Sequence, residues 1–409
     1  MKKSKKTFAS EPAEPIVLRE DKKWRNLVLL VLFLGIGMFF LGRGINMALT
    51  KQGGWTEIEV RVGSPGCAEE FSFRYLLDDK NGNAEYRALY ELYTDACERE
   101  AKLYNSEEAF PDVGNLYTLN ASPNREILLE PELYRALEEI RDSGSRTVYL
   151  APLYSEYMPL FFSETDEEAL VYDPLRNEEL ARRFEMLAAF AGDPAQIDVE
   201  LLGENRAVLR ISEAYLQLAQ ENNIGTFVDF GWMKNAFILD DLAETVRRAG
   251  FTRGYIQSDD GFGRNLCETK ETLLLNVFDR AFSGDYFIAQ LSYDRPLSFV
   301  SLHSYARKPA RNDLYYEYAD GATRAIYLDP ADGLPRTAID DLLLWSDTRS
   351  CGELALLAER AFVTASFDTA LADRADLYCA FCEDRTLRCS DPAVVVQKLA
   401  EGYGLEQAA

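Results

Sequence analysis

Three short stretches carry residues able to do chemistry. The first is Asp229-Phe-Gly-Trp-Met-Lys-Asn-Ala-Phe-Ile-Leu-Asp240. An acid at a strand end, then a glycine, then a helix start is a common frame for a ligand pocket. The free N–H groups and dipole of the new helix favour an anion such as phosphate, and Lys234 falls in that first turn. The plainer alternative makes Asp229 a helix cap and Lys234 a solvated side chain. The second stretch, Ser258-Asp-Asp-Gly-Phe-Gly263, sets Asp259 and Asp260 side by side in a glycine loop after a strand. Such a pair could meet a cation or a ribose hydroxyl, although a loop of this kind is more often only a turn. The third, Leu328-Asp-Pro-Ala-Asp-Gly-Leu-Pro335, is a rigid turn that presents Asp329 or Asp332. If these loops converge, their oxygens suit a hard cation such as magnesium, or a substrate.

Other reactive residue types are scarce. His303 is the one histidine in the chain and lies in an alternating run beside Ser301 and Ser304, a setting that reads as structural. No GxxxxGKS/T or GxGxxG motif is present. Seven cysteines, at positions 67, 97, 267, 351, 379, 382 and 389, are too few and too scattered to build a disulfide scaffold. Cys379 and Cys382 form a CxxC with Cys389 close behind. A structural zinc needs four ligands, so the expectation there is one disulfide or three plain thiols. A redox role would show as an exchangeable Cys379–Cys382 disulfide.

The elements that must position these residues follow from periodicity. Thr56 to Val62 alternates with a period of two, and Gly63-Ser-Pro-Gly66 turns the chain. From Asn83 to about Tyr104 the spacing of Tyr86, Leu89, Tyr90, Tyr93 and Cys97 is helical. A second helix starts at Pro131 with Leu133, Leu137 and Ile140 as its stripe. Residues 160–195 read as loops joining short helices. A strand at Ala207–Ile211 precedes a helix to about Asn222. The extended segment Thr226–Phe230 ends at Gly231, and a helix follows with Leu239, Leu242, Val246 and Ala249 on one face until Gly250. Strands are expected at 255–257, 286–293, 297–303 and 323–328, and a helix at 352–363. Strands and helices mix without strict alternation, and no flexible linker interrupts the body. The fold class is therefore α+β in one compact unit.

The segment before the body has a different character. From Leu27 to Gly42 no residue is charged or strongly polar. A span starting near Trp24 and ending with Arg43 reaching the far interface approaches the about 20 residues a bilayer requires. Lys2, Lys3, Lys5, Lys6, Lys22, Lys23 and Arg25 precede it, which keeps the N-terminus in the cytoplasm. Leu41-Gly-Arg-Gly-Ile45 offers no small-residue cleavage site, favouring an uncleaved signal-anchor over a signal peptide. A buried helix of a soluble protein is the alternative. Residues 1–49 carry a charge of +5 in a chain of −24, leaving −29 on the rest. With no basic blocks, that body is a poor ligand for nucleic acid. Its acidity keeps an exposed domain soluble and attracts cations.

The order of these stretches resembles the ApbE family, the FAD:protein FMN transferases, from roughly Trp55 to Thr364. That family carries a DxGGxxKGxxxD motif, and Asp229, Gly231 and Asp240 match its first acid, first glycine and last acid. Trp232 replaces its second glycine, and Asn235 its lysine, with Lys234 one place early. The family's NxGGD loop corresponds to Gln257-Ser-Asp-Asp-Gly261. Its HHIxDPxTGxP corresponds to Ala325–Pro335, keeping the Asp-Pro and Gly-x-Pro frame and losing both histidines. Its ADxxxT falls on Gly352, Glu353 and Leu357, where a leucine cannot stand in for a threonine hydroxyl. Ser106–Asn120 looks like its SExSxLN region.

The apolar run and its flanking lysines mark a basic cytoplasmic tail (1–23) and a transmembrane helix (24–49), and the resemblance adds an ApbE-like domain (50–370) and a C-terminal extension (371–409). It implies FAD and Mg²⁺, and transfer of FMN to a threonine or serine of an extracytoplasmic protein. Asp229, Lys234 and Asp240 would orient flavin or acceptor. Gly231, Trp232, Asp259, Asp260 and Gly261 would line the flavin site, while Glu353 and Asp329 would hold the cation. The competing expectation is a family-like body that has lost transfer and serves as a flavin-binding or protein-binding module of the envelope. An indole at position 232 either blocks the pocket or offers a stacking surface.

Overall fold

A computed structural model of the chain describes residues 23–49, 53–64, 66–266, 273–280, 286–307, 314–374 and 376–408. The basic tail before Lys23, the Arg43 side chain and Cys267 lie outside the described residues. The chain divides into Met1–Gln52 and Gly53–Ala409. The first unit contains helix α1, Lys23–Leu49. Its stretch Lys23–Gly42 has a mean hydropathy of 2.0 and is long enough to cross a bilayer. Every side chain in that stretch is exposed, which is consistent with a single-pass anchor.

The second unit is built on one nine-stranded sheet. Its strands are β1 (Gly54–Glu57), β2 (Phe71–Leu77), β3 (Gly254–Ser258), β4 (Phe262–Asn265), β5 (Leu297–His303), β6 (Asp341–Ser346), β7 (Tyr378–Glu383), β8 (Thr386–Cys389) and β9 (Gly404–Gln407). They lie side by side in chain order. Neighbours are antiparallel except β8 and β9, which run parallel. The architecture is α+β, as the sequence indicates.

The principal helices are α2 (Gly82–Leu103), α3 (Pro131–Ser143), α4 (Glu178–Gly192), α5 (Lys234–Arg248) and α6 (Cys351–Phe362). Local signals set several boundaries. Pro131 opens α3, and Gly144 closes it in the left-handed conformation at φ 72°. Ser350 and Glu353 form a reciprocal capping box on α6. Helix α6 packs on β5, β6 and α5, while α2 packs on α5. The opposite face is covered by a three-stranded sheet of Leu273–Phe278, Phe287–Tyr293 and Val395–Leu399. There Leu275, Ile288 and Leu291 form a second core with Leu343, Trp345 and Leu387.

This sandwich explains where periodicity misleads. All six residues of β6 are buried, because the strand has protein on both sides. It therefore shows no alternation, and the sequence reading omits it. Strand β2 is also absent from that reading although Phe71, Phe73, Tyr75 and Leu77 all point inward. The strand expected over 56–62 ends at Glu57, and Val62 is fully exposed. Residues 160–195 are more helical than expected, with Asp166–Tyr172 and the 15-residue α4. Thr226–Phe230 is extended but pairs with no strand. Asn120 supplies partners instead, accepting from Phe227 and Val228 N–H at 2.9 Å and donating to the Val228 carbonyl, while the Asp229 N–H goes to the Val148 carbonyl at 2.9 Å. The strand expected at 323–328 covers only Thr323–Ala325. Residues 371–409 contribute β7, β8, β9 and the Val395–Leu399 strand, so they complete both sheets.

Packing of α2 on α5 buries an acid. Glu100 is 2% exposed, and its Oε2 has no hydrogen-bond partner among the described residues. Burial pushes its carboxyl up to about 9, and the nearby Asp241 charge adds to the shift. Because the folded chain holds this proton more tightly than the unfolded one, the contribution is full below the ordinary glutamate range and is lost as pH rises toward 9. Glu100→Gln should raise stability at about pH 8 by on the order of 2–4 kcal/mol and change it little at about pH 4. Denaturant titrations at the two pH values check this, and an equal shift at both would count against a protonated Glu100.

Candidate functional site

The first chemical stretch folds around a tight turn. Asp229 Oδ1 accepts from the Gly231 N–H at 2.7 Å, and its Oδ2 accepts from the Ser106 hydroxyl at 2.5 Å. The turn opens a short 3₁₀ segment, Gly231–Met233, which leads directly into α5. Asp229 thus stabilises this turn and does not cap α5, whose N-cap position is Met233. Gly231 has φ 54° and lies on the Tyr154 ring, where an added Cβ would meet ring carbons from 3.4 Å. Trp232 is buried. Its indole stacks toward Phe262 at 6.5 Å and meets Tyr327 edge-on at 5.1 Å.

The remaining residues of this stretch face different neighbours. Lys234 Nζ is 4.0 Å from Glu70 Oε1 and is about one-third exposed. Asp240, two turns into α5, receives the Arg264 guanidinium at 2.5 Å. It also accepts the N–H groups of Cys351 at 3.0 Å and Gly352 at 2.8 Å, the first of α6. Burial pushes its carboxyl up, against the opposing pull of Arg264 and those N–H groups. The adjacent slot, lined by Tyr104, Glu139, Phe237 and Asp241 among others, holds about 20 Å³. That is room for roughly one water, whereas ligand pockets run to several hundred cubic ångströms.

The second and third stretches are also internally engaged. Asp259 is exposed, with its N–H on the Glu70 carbonyl at 3.0 Å. Asp260 turns inward and accepts from Asn235 Nδ2 at 2.9 Å. Gly261 has φ 107°, and a Cβ there would fall 2.2 Å from the Ser301 carbonyl oxygen, so the turn needs glycine to sit against β5. Asp329 pairs with Arg336 at 2.8 Å and accepts from the Ala331 N–H. Glu353 serves its capping box and pairs with Arg349 at 3.2 Å. Among the described residues, no group of three or more His, Cys, Asp or Glu is placed to hold a metal ion.

His303 is buried and stacks on Tyr315 at 4.7 Å, and burial drives its pKa well down. The CxxC lies in β7, where residues three apart point to opposite faces. Cys379 enters the helix-side core and Cys382 packs with the other. Neither thiol is in a disulfide, nor is any other described cysteine. The strand geometry therefore keeps Cys379 and Cys382 from pairing with each other.

Sequence reasoning missed the residues that engage these acids. Arg336 was detectable, four residues after Asp332 and within the same turn. Arg264, Glu70 and Ser106 carried no local signal, because each joins its partner across the fold.

No protein-family model matches the sequence, and no curated protein matches it. Solved structures do. The ApbE protein of Thermotoga maritima is 14% identical over 84% of this chain and 97% of its own length, with a TM-score of 0.54. The flavin transferase ApbE of Vibrio cholerae is 12% identical over 85% of this chain and 98% of its own, with a TM-score of 0.48. The first of these carries the assignment: this chain has the ApbE fold, in a divergent form.

If Asp240 is an internal tie, its partners control stability. Arg264→Met should destabilise the body by up to about 3 kcal/mol, because it leaves a half-buried carboxylate with only two N–H groups to balance it, while Asp240→Asn should cost less. Chemical denaturation of both variants measures this. Equal and negligible effects would show that the tie does not hold the fold together.

Proposed function

We propose that the body is an ApbE-fold module of the cell envelope that has lost flavin transfer and acts by binding a protein partner. In this reading α1 anchors the chain as a single pass, with the basic tail cytoplasmic and the acidic body outside. The lysines before α1 and the apolar length of the helix support that orientation.

The residues present do not fit FAD and magnesium. The observation that carries this is the pairing of the nominated acids. Asp240, Asp329 and Glu353 are bound by Arg264, Arg336 and Arg349 respectively. A cation entering at Asp240 must displace the Arg264 guanidinium and leave that charge unpaired, whereas one at Asp329 or Glu353 must compete with Arg336 or Arg349, each of which also holds a second carboxylate, Asp332 or Asp376. Trp232 adds a second obstacle, since its indole occupies packed space between Phe262 and Tyr327. In this reading the exposed apolar side chains Phe162, Val171 and Leu175 are candidate contacts for the partner.

The test is a titration of the full-length chain in nanodiscs with FAD, with and without Mg²⁺, followed by flavin fluorescence and product mass. The expected result is no Mg²⁺-dependent saturation and no release of AMP. Mg²⁺-dependent AMP release, together with an FMN mass increment on a protein acceptor, would overturn the proposal and restore the transferase reading.

A further inference from the structure

The β3–β4 turn and the first turn of α5 meet through an incomplete set of hydrogen bonds. Asn235 is 3% exposed. Its Nδ2 donates to Glu70 Oε2 at 2.8 Å and to Asp260 Oδ2 at 2.9 Å, which uses both amide protons. Asn235 Oδ1 and Asp260 Oδ1 are both buried, and neither has a hydrogen-bond partner among the described residues. A buried acceptor without a donor is destabilising, and here two occur on directly bonded residues.

Planar geometry connects these two defects. A carboxamide and a carboxyl group each present two polar atoms along one edge. When the amide N–H meets one carboxyl oxygen edge to edge, the amide oxygen comes opposite the other carboxyl oxygen. With an ionised aspartate those two atoms are both acceptors. A single proton between them supplies the missing donor for both.

We infer that Asp260 is held as a neutral carboxylic acid in mildly acidic conditions, its Oδ1–H donating to Asn235 Oδ1 and closing a two-bond clasp between the β3–β4 turn and α5. The proton comes from solvent and returns to it, and no other bond changes. The inference is independent of whether flavin binds.

The groups around Asp260 set the pH range. Burial is the largest influence and pushes its carboxyl up to about 6, and the charge of Glu70, just before β2, acts in the same direction. The Ser258 hydroxyl and the Asn235 amide oppose this. The Ser258 hydroxyl faces the carboxyl without meeting hydrogen-bond geometry to Oδ1, and its Oγ accepts from the Phe262 N–H at 3.0 Å. Lys234 offsets part of the Glu70 charge from 4.0 Å. The charges of Asp260 and Arg307 both act on Tyr315 and Tyr327, and Asp259 stands exposed on the same turn. Since the folded-state pKa is raised, the clasp contributes fully below the ordinary aspartate range and opens as pH rises through about 6. Above that point Asp260 and Glu70 are two carboxylates sharing one amide.

Infrared difference spectra of the full-length chain in nanodiscs, taken from about pH 4.5 to about pH 8, test the clasp directly. Wild type should show a protonated-carboxyl band that disappears with a midpoint near pH 6 and is missing from Asp260→Asn. Bands from Glu100, Glu139 and Asp241, whose carboxyls burial also raises, are common to both proteins and cancel. An amide at 260 supplies the donor permanently, so the melting temperature of Asp260→Asn should lose this part of its pH dependence. A difference spectrum without a carboxyl band, or melting temperatures that fall in parallel, would overturn the inference. Hydrogen exchange of the 259–262 amides in wild type needs no variant. Corrected for the intrinsic pH effect, protection should fall several-fold between about pH 5 and about pH 7.5, and unchanged protection would equally overturn it.

Discussion

The carboxylate of Asp240 ties the helical layer to the sheet. It projects from α5, takes the Arg264 guanidinium from β4, and accepts the leading N–H groups of α6. A buried carboxylate alone is strongly destabilising, and a helix start alone leaves its N–H groups unsatisfied. Each defect here repairs the other, with arginine balancing the charge. Gly352 makes the approach possible, because a Cβ there would sit 2.7 Å from the Phe237 ring. With its start fixed, α6 lays Leu354, Ala355 and Ala358 into the core against β5 and β6.

Arginine recurs in this role throughout the body. Asp173, fully buried, is held by Arg324, and Asp241 by Arg135. Asp329, Asp332 and Glu353 are treated likewise. A chain with 68 acidic and 44 basic residues pairs many of its carboxylates with arginine. The guanidinium fork balances their charge while satisfying several lone pairs at once. The same solution removes these acids from the pool of available cation ligands.

Much of the fold was legible because its signals are local. The start of α3 follows from Pro131, and the end of α5 from Gly250, each read within one turn of backbone. The motif order that resembles ApbE proteins also survived, since Asp229, Gly231 and Asp240 keep their spacing. Where the reading failed, the missing information was a second layer of protein. Strand β6 lost its alternation because both faces are covered. The CxxC looked like one chemical unit until a strand sent its thiols to opposite sides. Thr226–Phe230 looked like a strand, and is extended, but its partners include the side chain of Asn120.

By itself the sequence determined the apolar span, the acidity of the body, the α+β class and most helix boundaries. These depend on residue type and on spacing within a single element. The tertiary structure decided what each candidate acid does. Asp240 meets Arg264 across 24 positions of chain, Asp229 meets Ser106 across 123, and Asn235 meets Glu70 across 165. No periodicity reports such contacts. A carboxylate has the same chemistry at every position until the fold brings it a guanidinium, a helix terminus or an amide.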